Sequence, residues 1–185
     1  YLMKLRKFKF KKVKSTNETA IRIIRNSNYK SGMIISDMQL NGKGQYGRKW
    51  FSHKGNLFVS FFHELKKNNL SISTLTKINC LLVKKILESY YKGKITLKKP
   101  NDLLIDKKKI SGILQEIITI NNQKFLIIGI GINLVKSPKI KGYPTTNLYE
   151  LVNKYINKSI IEKKLKLLFE KNLSRMYRIN KLENL

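Results

Sequence analysis

The stretch Leu103-Leu104-Ile105-Asp106-Lys107-Lys108-Lys109-Ile110-Ser111-Gly112-Ile113-Leu114, followed by Phe125-Leu126-Ile127-Ile128-Gly129-Ile130-Gly131-Ile132-Asn133, decides the fold. Its apolar, β-branched runs are separated by the polar connections Asp106 to Lys109 and Asn121-Asn122-Gln123, with the middle run ending near Ile120. Such runs, bounded by turn residues, predict successive strands joined as hairpins. Gly129 and Gly131 interrupt the most apolar of them, which predicts that another group approaches that backbone closely.

Moving outward, Ile95 to Leu97 opens a further strand stopped by Pro100, and Lys98-Lys99-Pro100-Asn101-Asp102 makes a polar elbow into Leu103. Upstream, Leu75, Ile78, Leu82, Ile86 and Tyr90 recur at helical spacing, so Ser73 to Tyr91 reads as an amphipathic helix ended by Gly93. Leu57 to Phe62 is apolar on both faces and reads as a central strand. Lys30-Ser31-Gly32 turns the chain into a short buried strand, Met33 to Ile35. Phe8 to Val13 alternates apolar and basic residues, as an edge strand does, and Ser15 with Glu18 forms a capping box for a helix through Ile21 and Ile24. Downstream come a short helix over Leu148 to Tyr155 and a second capping box, Ser159 with Glu162. That box opens a helix with Ile161, Leu165, Leu168, Phe169 and Met176 on one face. Strands gathered in the middle, with helices before, between and after them, predict an α+β domain on a mixed, mainly antiparallel sheet.

The composition narrows the function. With 185 residues and 42% hydrophobic content, the chain fills one core and falls short of two ordinary domains. The formal net charge of +28 suits a polyanion partner, but the lysines run along the whole length rather than clustering, so a dedicated nucleic-acid face is not expected. Cys80 stands alone in Ile78-Asn79-Cys80-Leu81-Leu82-Val83, which excludes a disulfide or a cysteine metal site and marks it as core filler. No apolar run has the length of a membrane span and no signal peptide follows the basic start, so a cytoplasmic protein is expected. Position 1 is Tyr rather than Met.

Polar clusters stand where strands end. Gln39 to Trp50, Q-L-N-G-K-G-Q-Y-G-R-K-W, sets Gly42, Gly44 and Gly47 among Lys43, Arg48 and Lys49. Glycines that turn through positive φ, with cations beside them, suit a phosphate or carboxylate. A solvated basic loop would read much the same. Ser15, Thr16 and Asn17 read first as a helix cap.

Taken in order, S-T-N at 15, Q-L-N-G-K-G-Q-Y-G-R-K-W at 39, K-K-P-N-D at 98, K-I-S-G-I-L at 109 and G-I-G-I-N at 129 resemble the catalytic domain of biotin–protein ligases. The resemblance runs from about Val13 to the C-terminal helix. It implies a class II aminoacyl-tRNA synthetase-like fold and an ATP-dependent reaction. Biotin's carboxylate is joined to the α-phosphate of ATP, giving biotinyl-5'-AMP and pyrophosphate, and biotin then passes to a specific lysine of a biotin carboxyl carrier protein.

By the same resemblance Lys109 bridges biotin's carboxylate and the α-phosphate, with Arg48 and Lys43 as further catalytic cations. Biotin would be held by Ser15, Thr16, Asn17, Gln39, Gly42, Lys43, Gly44, Gln45, Lys109 and Gly112. ATP would meet Arg48, Trp50, Lys98, Asn101, Asp102, Gly131 and Asn133, with Asp102 the ligand of a Mg²⁺ ion. Trp50 reads equally as a lid over the nucleotide or as core. The glycine-rich loop is expected to order over the adenylate and keep water out.

The chain departs from the family pattern in places. Lys43 and Gln45 stand where Arg is usual, Lys99 replaces the Trp of the elbow, and Ser111 replaces the first of two glycines. No helix-turn-helix segment precedes Ser15, so specific DNA binding is not expected. The small β-barrel domain that usually follows is absent or truncated, which leaves one catalytic domain over 1–185. Sheet edges leave a homodimer open. The rival readings are a lipoate or octanoate ligase on the same scaffold, a basic nucleic-acid-binding protein, and a relative that folds but has lost activity. Ser15, Thr16 and Gln39 speak against the first, because a fatty chain needs an apolar tunnel.

Overall fold

The computed structural model describes residues 3–65 and 70–182. Tyr1 and the stop at Leu185 lie outside the described residues. In chain order the elements are β1 (Arg6–Phe10), α1 (Thr16–Asn26), β2 (Ser31–Ser36), β3 (Gly42–Lys43), β4 (Lys49–Trp50), β5 (Leu57–Glu64), α2 (Ile72–Glu88), β6 (Ile95–Lys98), β7 (Asp102–Ile105), β8 (Lys108–Ile120), β9 (Gln123–Ile132), α3 (Leu148–Val152) and α4 (Lys158–Leu182). Seven strands make one sheet in the order β1-β2-β5-β9-β8-β7-β6, and β3 with β4 forms a separate two-stranded hairpin. Only the β1–β2 pairing is parallel; the rest of the large sheet is antiparallel, so the sheet is mixed and mainly antiparallel as expected.

Two tight turns set the meander that decides the fold. Asp106 and Lys107, with φ of 48° and 63°, join Ile105 to Lys108; Asn121 and Asn122, with φ of 48° and 61°, join Ile120 to Gln123. Left-handed backbone at both central positions matches the twist of the flanking strands. The turn at Asp106 is shorter than the sequence suggests, so Lys109 belongs to β8 rather than to the connection.

Side-chain alternation divides the core between the two faces of the sheet. On one face Met33, Ile35, Phe61, Leu126, Ile128 and Ile130 pack with α2 and α4, and Phe61 stacks on Phe169 of α4 with ring centroids 4.0 Å apart. On the other, Ile34, Phe62, Phe125 and Ile127 receive Ala20 and Ile24 of α1. That single helix covers only part of its face. Asp102, Gly112 and Gly131, cross-strand partners over β7, β8 and β9, are left to a different cover.

Several local expectations are corrected. Ser31 and Gly32 belong to β2, not to the turn before it, and β1 ends at Phe10, with Val13 making only an isolated bridge to Gln39. The buried face of α2 is Leu75, Thr76, Asn79, Cys80, Val83, Ile86 and Leu87; Ile78, Leu82 and Tyr90 lie at its half-buried margin, and the helix stops at Glu88, short of Gly93. In α1, Ser15 Oγ accepts from Glu18 N at 3.5 Å, but the Glu18 carboxylate turns away to Lys43, 2.6 Å off, instead of closing the capping box. The second box fails too: Asn157 Oδ1 accepts from Ser159 N, and Glu162 is buried against Lys7 at 3.1 Å. The Glu162 carboxylate therefore serves a tertiary contact, with a lysine that stays partly exposed. Among the described residues no helix is long and apolar enough to cross a membrane.

Candidate active site

Where α1 leaves the sheet uncovered lies a cavity of about 740 Å³, within the range of small-molecule sites. Its floor is backbone. A Cβ on Gly129 would come within 2.4 Å of Asn17 Oδ1, and one on Gly131 within 2.3 Å of the Trp50 indole. A Cβ on Gly112 would meet Trp50 at 2.9 Å and Lys109 Cε at 3.0 Å. The close approach that the glycines predict is therefore made by these side chains.

At the α1 end the lining is neutral and polar. Ser15, Thr16 and Asn17 are buried at the helix start. Gln39 Oε1 accepts from Thr16 N at 2.8 Å and from Thr16 Oγ1 at 3.1 Å. Ser60 Oγ lies 2.8 Å from Thr16 Oγ1 and 2.5 Å from Asn17 Oδ1, within donating reach of both, and its single proton serves one at a time. Asn17 Nδ2 donates to Glu116 Oε2 at 2.6 Å. Ser15 caps the helix and lines the cavity together, so the cap and site readings are compatible.

Two residues further along the strands, roughly 7 Å, the lining becomes cationic. Asp102, opposite Gly112 in the sheet, is the one carboxylate among the described lining residues, against Lys43, Arg48, Lys49, Lys98, Lys99, Lys109 and Lys141. Lys109 Nζ is 2.7 Å from Asp102 Oδ1, an ion pair by distance, although Oδ1 receives no aligned hydrogen bond. The β7–β8 register slips between Leu103 and Leu104, so Leu103 faces Ser111 while Leu104 faces Lys109. A bulge of this kind re-aims a side chain. Beyond it Lys109 N–H donates to Pro144 O at 2.9 Å, and Thr146 N–H donates to Lys109 O at 3.0 Å.

The hairpin β3–β4 covers the cavity. Within it a single 3-10 turn, Gln45–Gly47, carries left-handed backbone at Tyr46 (φ 55°) and Gly47 (φ 74°). Of the three glycines only Gly47 uses positive φ. Gly42 is required by crowding, since a Cβ there would come within 2.6 Å of Trp50 O, whereas at Gly44 the nearest atom is 3.4 Å away. Lys43 pairs with Glu18 at 2.6 Å; that contact, the largest cause, holds the Glu18 carboxyl below its usual value and raises the Lys43 ammonium. Trp50 is half-buried inside the cavity, neither core nor open lid, with its Nε1 buried and without a hydrogen-bond partner.

Every residue expected in the site lines this cavity except Gly42, which packs behind it. Asn101 lines it while its amide is already committed to Ile113 O at 2.7 Å, so its first duty is to the elbow. Asn133 donates to Thr146 O at 3.1 Å and keeps a buried Oδ1 without a partner. Ser111, one of the departures, does not reach the cavity: its hydroxyl donates to Gly131 O at 2.8 Å. Ser60, Glu116 and Tyr143 join the site without belonging to any of the sequence motifs. Ser60 lies inside an apolar strand and Tyr143 in an unpatterned connection; only the fold brings them here.

Asp102 Oδ1 and the missing carboxylate cluster bear on a metal. Among the described residues no group of three or more acidic, histidine or cysteine side chains is placed to hold one. Mg²⁺ is commonly held by one or two carboxylates together with substrate phosphates, so the single Asp102 fits that ion.

Residues 9–133 match the biotin/lipoate A/B protein ligase family. The chain is 33% identical over 125 residues to the bifunctional ligase/repressor BirA of Escherichia coli (strain K12), covering 66% of this chain and 38% of that protein. It is 28% identical over 165 residues to the protein of the same name from Bacillus subtilis (strain 168), covering 85% of this chain and 50% of that one. The chain thus spans half or less of these relatives' length. Among solved structures, the biotin protein ligase of Aquifex aeolicus in complex with biotin and ATP superposes with a TM-score of 0.77 at 30% identity, over 92% of this chain and 71% of that chain.

Proposed function

Because the chain belongs to the biotin/lipoate A/B protein ligase family, we propose that it activates biotin with ATP as biotinyl-5'-AMP and transfers it to a lysine of a biotin carboxyl carrier protein. The carrying observation is one cavity with two chemistries: a neutral hydrogen-bonding end at Ser15, Thr16, Asn17 and Gln39, and a cationic end at Lys43, Arg48, Lys98 and Lys109. The neutral end offers donors and acceptors to an uncharged ureido ring without burying a charge against it. The apolar surfaces of Trp50 and Leu114 suit the fused ring and tail. The solved relative from Aquifex aeolicus, which holds biotin and ATP, supports the same pairing of ligands.

In the first step a carboxylate oxygen of biotin attacks the α-phosphorus, the bond to the β-phosphate oxygen breaks, and pyrophosphate leaves. Two anions must approach, so preplaced cations lower the barrier. Lys109 bridges the carboxylate and the α-phosphate, while Lys43 and Arg48 steady the same anions from the hairpin. Lys98 and Lys99 face the leaving phosphates. Asp102 would hold Mg²⁺, which supplies charge neutralisation to the triphosphate when bound. In the second step the neutral amine of the acceptor lysine attacks the biotinyl carbonyl and AMP departs. The hairpin, closing further over Trp50, excludes water meanwhile.

Lys43 in place of Arg keeps the charge but not a two-pronged grip, and Gln45 contributes a neutral contact only. The test is to incubate the chain with ATP, Mg²⁺ and either biotin or lipoate, and to identify the acyl-adenylate by mass. Biotinyl-5'-AMP supports the reading; lipoyl-AMP alone would replace it with a lipoate ligase, and neither would point to a relative that folds without activity.

A further inference from the structure

Tyr143 belongs to none of the motifs, yet it touches the groups on which the phosphate end depends. Its hydroxyl donates to Asp102 Oδ2. Two ammonium groups lie near its ring, Lys98 Nζ 4.9 Å and Lys109 Nζ 5.5 Å from the centroid. Cations at such distances from an aromatic ring are attracted to it.

The connection that carries Tyr143 is anchored independently of it. Asn56 Oδ1 accepts from Leu134 N at 3.0 Å, Val135 N at 2.9 Å and Lys136 N at 3.1 Å, and Asn56 Nδ2 donates to Lys136 O at 2.6 Å. At the other end Pro144 and Thr146 hydrogen-bond the backbone of Lys109 itself. One segment therefore holds the main chain of the lysine and the side chain of the aspartate that faces it.

We propose that Tyr143 is a positioning residue for the phosphate end: it clamps Asp102 through Oδ2, turning Oδ1 into the cavity, and offers its ring face to Lys98 and Lys109. This assignment rests on reading the cavity as a biotin and ATP site, and deepens it. Lys109 is drawn to Asp102. To serve a substrate oxyanion it must let go, and Asp102 would then lose its nearest cation. The Tyr143 hydroxyl keeps the carboxylate satisfied and aimed while that exchange takes place, and the ring keeps the lysine close to its new partner.

The experiment is calorimetric titration of the chain and of Tyr143→Phe and Tyr143→Leu, with biotin alone and with MgATP alone. Tyr143→Phe retains the ring and loses the donor; its Kd for MgATP should rise by about 10- to 150-fold, the scale of one hydrogen bond to a charged group, while its Kd for biotin stays within about twofold. Tyr143→Leu loses the ring as well and should bind MgATP more weakly than Tyr143→Phe. Equal MgATP affinity in Tyr143→Phe and the unmodified chain would overturn the assignment alone, as would equal losses for biotin and MgATP. An unmodified chain that bound biotin but not MgATP would overturn this assignment, and one that bound neither ligand would overturn the reading of the cavity with it.

Discussion

Lys109 Nζ stands 2.7 Å from Asp102 Oδ1 across the β7–β8 bulge, so the lysine we assign to the reacting anions rests on the one carboxylate among the described lining residues. The ion pair holds a partly buried cation at a position where substrate oxyanions would compete for it. Removing the charge should lower the adenylation rate of Lys109→Ala by about 10²- to 10³-fold, with biotin binding far less affected. Lys109→Arg should not restore the rate, because a planar guanidinium differs from a compact ammonium in reach and geometry. Single-turnover formation of biotinyl-5'-AMP, beside biotin Kd, separates the two effects; an unchanged rate would remove Lys109 from the chemistry.

The contact between Gly131 and Trp50 can be read optically, because Trp50 is the only tryptophan in the sequence. A methyl at Gly131 would stand 2.3 Å from the indole, so Gly131→Ala must push the ring out of the cavity. We expect a red-shifted emission maximum and a loss of about 1–3 kcal/mol, the usual cost of overpacking. Gly44→Ala, with 3.4 Å to its nearest neighbour, should leave emission and stability close to those of the unmodified chain.

These two sites also show what was legible in the sequence. The strand runs, the two meander turns and the clusters at 15, 39, 98, 109 and 129 could be read from residue type and spacing, and the fold gathers those clusters around one cavity. The partner of a residue far away in the chain could not. Glu18 and Glu162 have the spacing of capping boxes but go to Lys43 and Lys7, since spacing describes one helix and not the strands or loops beside it. Ser60 and Tyr143 sit in stretches whose local pattern carries no sign of a site; register and a long connection bring them to Thr16, Asn17 and Asp102. Lys43 and Gln45, the departures in the hairpin, line the cavity.

Glu18 and Lys43 tie the hairpin to α1, and the tie should depend on pH. The Glu18 carboxyl is held below its ordinary value of 4.5, chiefly by its hydrogen bond with Lys43. Its stabilisation is present above that ordinary value and is lost as pH falls through the depressed folded value. Both side chains are partly exposed, so solvent screening limits the pair to less than about 1 kcal/mol. Glu18→Gln should therefore lower Tm at pH 7 by about 1–3 °C, and the difference should vanish in melts well below pH 4.5. A difference that persists there would assign the effect to something other than the ionised pair.

Cys80 is fully buried, and burial, with Asp102 as a lesser cause, pushes its thiol up to about 12. A thiol reagent at neutral pH should leave the folded chain unmodified and label one equivalent after denaturation. Fast labelling of the native protein would mean that α2 opens readily from the sheet.

The most direct measurement of the central claim is exchange of labelled pyrophosphate into ATP, which reads reversible acyl-adenylate formation without needing an acceptor protein. We expect exchange that depends on biotin and Mg²⁺, is not supported by lipoate or octanoate, and is lost in Lys109→Ala. Exchange driven by lipoate, or none with biotin while the protein is folded, would contradict the assignment of this chain as a biotin-activating ligase.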